Sequence, residues 1–175
     1  MAIVSVFGSG LVQKGDLDFD NAFEFGKALG ENGINIACGG YGGIMEAVLS
    51  GAEEYDIERI GVILKEYKNK SANEFVNKEI VMSNYLRRLE KLIELGDAYM
   101  IFPGGTGTLM EFAAIWALSQ RNMLNNKLIL TIGEQWEQIT QHMGFYSGTV
   151  TDNIEIVKNV DDLSEAIDLI TAEFK

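Results

Sequence analysis

The stretch Phe102-Pro103-Gly104-Gly105-Thr106-Gly107-Thr108-Leu109-Met110-Glu111 reads as strand, glycine turn and helix in immediate succession. The run Ala98-Tyr99-Met100-Ile101-Phe102 is short, continuously apolar and ended by Pro-Gly-Gly, the pattern of a strand buried on both faces of a parallel sheet. A helix starting near Thr106 leaves the N–H groups of its first turn without intrahelical acceptors, and the three glycines let a ligand approach the backbone. Such a terminus favours an anion, for which phosphate is the obvious candidate.

From Ala98 to Gln120 the only charged side chain is Glu111. On the predicted helix it shares a face with Gly107, Thr108, Ala114, Ile115 and Leu118, not with a solvated stripe. Because helical side chains lean toward the N-terminus, its carboxylate points back at the anion site. Two readings follow: a glutamate complementing the helix dipole, or a catalytic or ribose-binding carboxylate.

Outward from this motif the chain alternates strand and helix. Ala2–Phe7 is a buried-strand pattern ended by Gly8-Ser9-Gly10, and residues 18–32 carry Ala22, Phe25 and Leu29 at helical spacing. Ile34–Ala37 is the next strand, followed by Cys38 and the glycine loop Gly39-Gly40-Tyr41-Gly42-Gly43, with a helix from Ile44. Gly39–Glu46 and Gly104–Glu111 share the pattern GGxGxxME, so two strand–loop–helix units are expected to face one cleft. Glycine loops also occur where they serve only close helix–strand packing. No lysine follows either loop as a P-loop requires.

Arg59–Leu64 reads as a strand and residues 65–78 as a polar loop holding an irregular helical turn. Over 84–95, Arg87, Glu90, Lys91 and Glu94 form one helical face, while Tyr85, Arg88, Leu92 and Leu95 form another. Arg88 is therefore turned toward the protein body, where a guanidinium needs an anionic partner, either a ligand or a structural carboxylate. Strands at 127–132 and 155–157 and helices at 134–143 and 163–174 complete the pattern. The expectation is an α/β, Rossmann-like, doubly wound and mainly parallel sheet with helices on both faces, one domain over residues 1–175.

A formal charge of −12 argues against nucleic-acid or anionic-membrane partners, whose binding rests on lysine and arginine. A small anion held by backbone dipoles and one arginine stays compatible with it. The N-terminus lacks a basic, signal-like segment and no long apolar run is present, so a cytoplasmic protein is expected. Cys38 and His142 are single and lack companion ligands, so no metal and no cofactor is expected.

The motif PGGxGTxxE, intact as Pro103–Glu111, resembles that of the LOG ("lonely guy") family of nucleoside-monophosphate phosphoribohydrolases, Rossmann-like proteins often labelled "possible lysine decarboxylase". The family's arginine fifteen residues before the proline maps onto Arg88, and the likeness covers most of residues 3–132. Two segments depart: the family's GGGxxGLMG becomes CGGYGGIME from Cys38 to Glu46, and its Arg-Lys pair becomes Arg88-Leu89. The first looks closer to a sister branch that includes molybdenum-cofactor carrier-like proteins. The resemblance implies a homodimer or higher oligomer with shared sites; the all-round apolar run Phe112–Leu118 independently suggests a contact there.

Together these readings assign Arg88 and Glu111 as catalytic, and Gly8, Ser9, Gly39, Gly40, Gly42, Gly43, Gly104, Gly105, Thr106, Gly107 and Thr108 as the phosphate-binding set. The expected partner is a small phosphorylated ligand such as a nucleoside monophosphate. The expected reaction is hydrolysis of its N-glycosidic bond to free base and ribose 5-phosphate, the alternative being a non-catalytic nucleotide or molybdenum-cofactor carrier. Glu46, matched to Glu111, is a candidate second acid.

Overall fold

The computed structural model describes residues 1–65, 71–146 and 156–175. Its strands are β1 (Ile3–Phe7), β2 (Asn35–Cys38), β3 (Arg59–Leu64), β4 (Lys78–Met82), β5 (Ala98–Ile101), β6 (Ile129–Ile132) and β7 (Lys158–Val160). The helices are α1 (Leu17–Glu31), α2 (Ile44–Gly51), α3 (Tyr85–Leu95), α4 (Thr106–Ser119), α5 (Glu134–Tyr146) and α6 (Leu163–Glu173). All seven strands are parallel, in the order β4-β3-β2-β1-β5-β6-β7. The expected Rossmann-like α/β sheet is thus present, and parallel throughout.

Strand character tracks burial. β1, β2 and β5 lie inside the sheet with helices on both faces, and their residues are almost wholly buried. Two apolar clusters result. One joins Phe25, Leu29, Val48 and Ile170 with the α1, α2 and α6 side of the sheet; the other joins Leu92, Phe112, Ile115 and Trp136 with the α3, α4 and α5 side.

The edges depart from the sequence expectation. β4 begins at Lys78, where the reading placed only the end of a polar loop, and five of that loop's residues, 66–70, lie outside the described residues. Pairing on one side alone, β4 keeps Lys78, Glu79 and Val81 exposed, so no continuous apolar run marks it. At the opposite edge the strand expected at 155–157 ladders at Lys158–Val160 instead; Glu155 lies outside the described residues. Its register pairs Thr131 with Asn159, and the Thr131 hydroxyl donates to Asn159 Oδ1 at 2.9 Å. Apolar Ile156-Val157 immediately precede the ladder and stay outside it, while Lys158 and Asn159, which pair in it, carry no apolar mark because an edge strand faces water.

The strand order reverses around β1, which pairs with β2 on one side and β5 on the other, and ligands bind open α/β sheets at such a switch point. Backbone hydrogen bonds lock the loops there. Ser9 N–H donates to Pro103 O at 2.9 Å, Ile44 N–H to Ser9 O at 2.9 Å, and Phe102 N–H to Phe7 O at 2.8 Å. The carboxyl ends of β1 and β5 and the start of α2 are therefore held as one unit.

Candidate active site

Asn84 fixes where α3 begins, its side chain accepting from Arg87 N–H at 2.9 Å in an N-cap. Helical geometry then separates the two arginines. Arg87 lies outside, paired with Glu90 at 2.9 Å across exposed surface. Arg88 turns inward and is 6% exposed. Its Nε donates to Val62 O at 2.7 Å, and its guanidinium lies 5.7 Å from the Tyr41 ring centre and 5.9 Å from that of Tyr85. Both distances are within cation–π range.

Gly39 makes room for this arginine. A Cβ there would fall 1.7 Å from Arg88 Nη2 and 2.6 Å from Met45 Sδ, so any side chain would occupy the guanidinium's place. Gly43 has a related requirement: its φ is +67°, and a Cβ would meet Ser9 O.

Glu111 comes from α4, near its N-terminal end, and is 8% exposed. Its Oε1 lies 3.6 Å from Arg88 Nη1. Burial and the guanidinium act on it in opposite directions, and burial dominates, raising the carboxyl to about 7. A group so placed exchanges its proton near neutrality. Regular helical bonding in α4 starts with Leu109 N–H donating to Gly105 O at 2.9 Å, so the N–H groups of Thr106, Gly107 and Thr108 belong to the unbonded first turn.

These parts surround a cleft of about 390 Å³. Gly8, Ser9, Gly39, Gly42, Arg88, Gly105, Thr106, Gly107, Thr108 and Glu111 all line it. Gly40, Gly43 and Gly104 sit behind that lining. Gly40 packs against Gly61, and Gly104 packs against Thr108 while its N–H and C=O meet the Gln135 amide at 3.4 and 2.8 Å. Glu46 lines a neighbouring cavity of about 660 Å³ with Lys14, Phe23 and Tyr55. Its Oε2 lies 3.7 Å from where a Cβ on the cleft-lining Gly42 would stand, so it borders the cleft without lining it.

Sequence reasoning placed Tyr85 on the face of Arg88 without assigning it to the site, and gave Tyr41 and Asn73 no role. Tyr85 stands three residues before Arg88 on the same helical face, a signal that was legible. Asn73 gave none: its N–H donates to Gly40 O at 2.8 Å and its Nδ2 to Tyr41 O at 2.6 Å, fixing the second glycine loop from 32 residues away. Cys38 is structural. Its thiol, pushed up to about 12 by burial, accepts from Gly40 N–H at 3.4 Å and faces Met45 O at 3.7 Å.

The family model described as the SLOG cluster4 family matches residues 1–163. The chain belongs to the SLOG cluster4 family. A curated relative of this SLOG chain is the cytokinin riboside 5′-monophosphate phosphoribohydrolase of Mycobacterium marinum, 24% identical over 150 residues, or 81% of this chain and 80% of the relative. The LOG resemblance carried by Pro103–Glu111 agrees with it. Among solved structures, the molybdenum cofactor binding protein of Rippkaea orientalis superposes with a TM-score of 0.78 at 22% identity, over 99% of this chain and 98% of that one. The molybdenum cofactor carrier protein of Chlamydomonas reinhardtii gives 0.72 at 20%, over 98% and 96%. At these identities the likeness concerns the fold.

Proposed function

We propose that this SLOG protein hydrolyses the N-glycosidic bond of a nucleoside 5′-monophosphate, releasing the base and ribose 5-phosphate. The observation that carries the reading is the buried Arg88–Glu111 pair at the floor of a cleft bounded by the first turn of α4. The amides of Thr106–Thr108 and the threonine hydroxyls hold the 5′-phosphate. Arg88 binds and positions the sugar phosphate. Glu111 contacts the ribose hydroxyls or orients the attacking water as positive charge develops at C1′. The reaction uses neither metal nor cofactor. The phosphoribohydrolase from Mycobacterium marinum supports the reading as a distant relative.

The second reading is a carrier that holds a nucleotide or a molybdenum cofactor without chemistry. It is favoured by the loop from Cys38 to Glu46, whose CGGYGGIME departs from the LOG pattern toward the molybdenum-cofactor carrier-like branch. In either case we propose a homodimer through the outer face of α4, where Leu109, Met110, Ala113 and Ala117 are exposed and uncharged. For a chain of net charge −12 this is a face on which two copies can meet without repulsion. The buried Trp116 Nε1, with no hydrogen-bond partner among the described residues, lies at the adjoining α4–α5 groove.

AMP, CMP, GMP and their nucleosides, incubated with the protein and analysed for free base, test the function. Cleavage of a monophosphate but not its nucleoside is the expected result. Tight binding without cleavage supports the carrier, and equal handling of nucleotide and nucleoside refutes the phosphate site. Each charge-assisted hydrogen bond lost with the phosphate is worth roughly 1.5–3 kcal/mol, so the nucleoside should fall behind by several powers of ten.

A further inference from the structure

Glycosidic cleavage needs a proton for the departing base, and the site as described assigns none. Among the described residues, Arg88 and Glu111 are the ionic side chains lining the cleft. Arg88 spends its Nε on Val62 O at 2.7 Å, and its Nη1 stands 3.6 Å from Glu111 Oε1, too far for a hydrogen bond. The guanidinium is thus only loosely engaged by the carboxylate and free to turn its attraction to an incoming anion. Glu111 cannot retreat, because α4 holds it and its side chain is 11% exposed. A phosphate dianion would put two more negative charges beside a carboxylate that already shares its one cation.

We propose that seating the phosphorylated ligand draws Arg88 away from Glu111 and loads a proton onto the Glu111 carboxylate, and that this proton leaves with the base. The second half rests on the hydrolase reading. In that step the C1′–N bond breaks with its electron pair passing to nitrogen, which takes the proton from Glu111. Water then adds to C1′ and returns a proton to the Glu111 carboxylate, so acid and base roles alternate on one residue and the cycle closes.

Among the described residues lining the cleft, Glu111 is the carboxyl group and so the proton carrier. Arg88 on α3 supplies the cation, and the Cys38 thiol at the end of β2 is pushed up to about 12 by burial. Glu46 of α2 lines the neighbouring cavity with its Oε2 turned toward Gly42 at the cleft's border, so Glu46→Gln is the control: proton uptake must persist in it. Burial has already brought Glu111 to about 7, and a bound anion acts in the same upward direction.

Calorimetry with ribose 5-phosphate at pH 8, in three buffers of different ionisation enthalpy, counts the protons. Near pH 8 the ligand's phosphate, with a second pKa of about 6, is already ionised. The wild type should take up more than about half a proton per ligand and bind progressively more weakly from pH 7 to 9, approaching tenfold per pH unit. Glu111→Gln should bind with no uptake and a flat pH profile. No uptake by the wild type, uptake that persists in Glu111→Gln, or no binding of ribose 5-phosphate at either pH overturns the proposal. Infrared difference spectra of the wild type provide a check that needs no variant: a protonated-carboxyl band must appear on ligand addition, and its absence refutes the loading. Base release without proton uptake leaves the hydrolase reading standing and removes this one; uptake without base release supports the loading and removes the hydrolase reading.

Discussion

Replacing Gly39 with alanine tests how far the site depends on the placement of Arg88. The added Cβ would fall 1.7 Å from Arg88 Nη2, whereas ordinary contact begins at 3.4 Å, so the guanidinium must retreat by roughly 2 Å. Met45 Sδ, 2.6 Å from the same position, closes one direction of relief. A retreat breaks the 2.7 Å bond to Val62 O and the stacking against Tyr41 and Tyr85. Losing one charge-assisted hydrogen bond costs about 1.5–3 kcal/mol, and at about 2–4 °C per kcal/mol for a chain of this size the melting temperature should fall by roughly 3–12 °C. Function should suffer more, since a misplacement of about 1 Å in a positioning group costs on the order of a hundredfold. Thermal melts by circular dichroism with base-release and ribose 5-phosphate binding assays read both effects. Gly42→Ala is the stability control, because its Cβ would meet nothing closer than 3.6 Å, and its melt should match the wild type. Wild-type turnover and ligand affinity in Gly39→Ala would refute the dependence on Arg88 geometry.

Arg88→Ala should abolish turnover or ligand binding while Arg87→Ala leaves both unchanged, since Arg87 makes only an exposed pair worth about 0–1 kcal/mol; equal losses in the two variants would contradict the face assignment. Glu111→Gln should change stability with pH in a defined direction. A carboxyl raised to about 7 in the folded protein, against 4.5 in the unfolded chain, stabilises the fold below pH 4.5 and loses that contribution as pH rises through 7. Relative to wild type, the variant should therefore gain about 2–3 kcal/mol between pH 5 and pH 8, seen as a rising difference in melting temperature, and a constant difference would show that the carboxyl is not perturbed. Light scattering at micromolar concentration should give twice the 19.3 kDa chain mass, and Ala117→Glu should reduce it to one; a monomeric wild type refutes the α4 contact.

What the sequence disclosed and what it withheld divide along physical lines. Interior strands such as Ala98–Ile101 are buried on both faces, so their whole composition is constrained and they can be read as apolar runs. β4 and β7 satisfy one ladder and face water elsewhere, and their residues carry little of that mark. The Arg88–Glu111 meeting was half legible. Helical periodicity turned Arg88 inward and charge isolation singled out Glu111, yet their separation is set by the packing of α3 on β3, where Arg88 Nε meets Val62 O, and of α4 on β1, which no local window contains. Gly39 shows the same limit more sharply. Its sequence context advertises a phosphate-binding turn, while in space its missing Cβ makes the volume into which an arginine from 49 residues away inserts. A glycine in such a loop thus carries two separable demands, backbone freedom and empty volume. At Gly42 an added Cβ meets only ordinary contacts, whereas at Gly39 it meets the guanidinium itself. The two alanine variants therefore distinguish a loop that binds through its backbone from one that also positions the side chain opposite it.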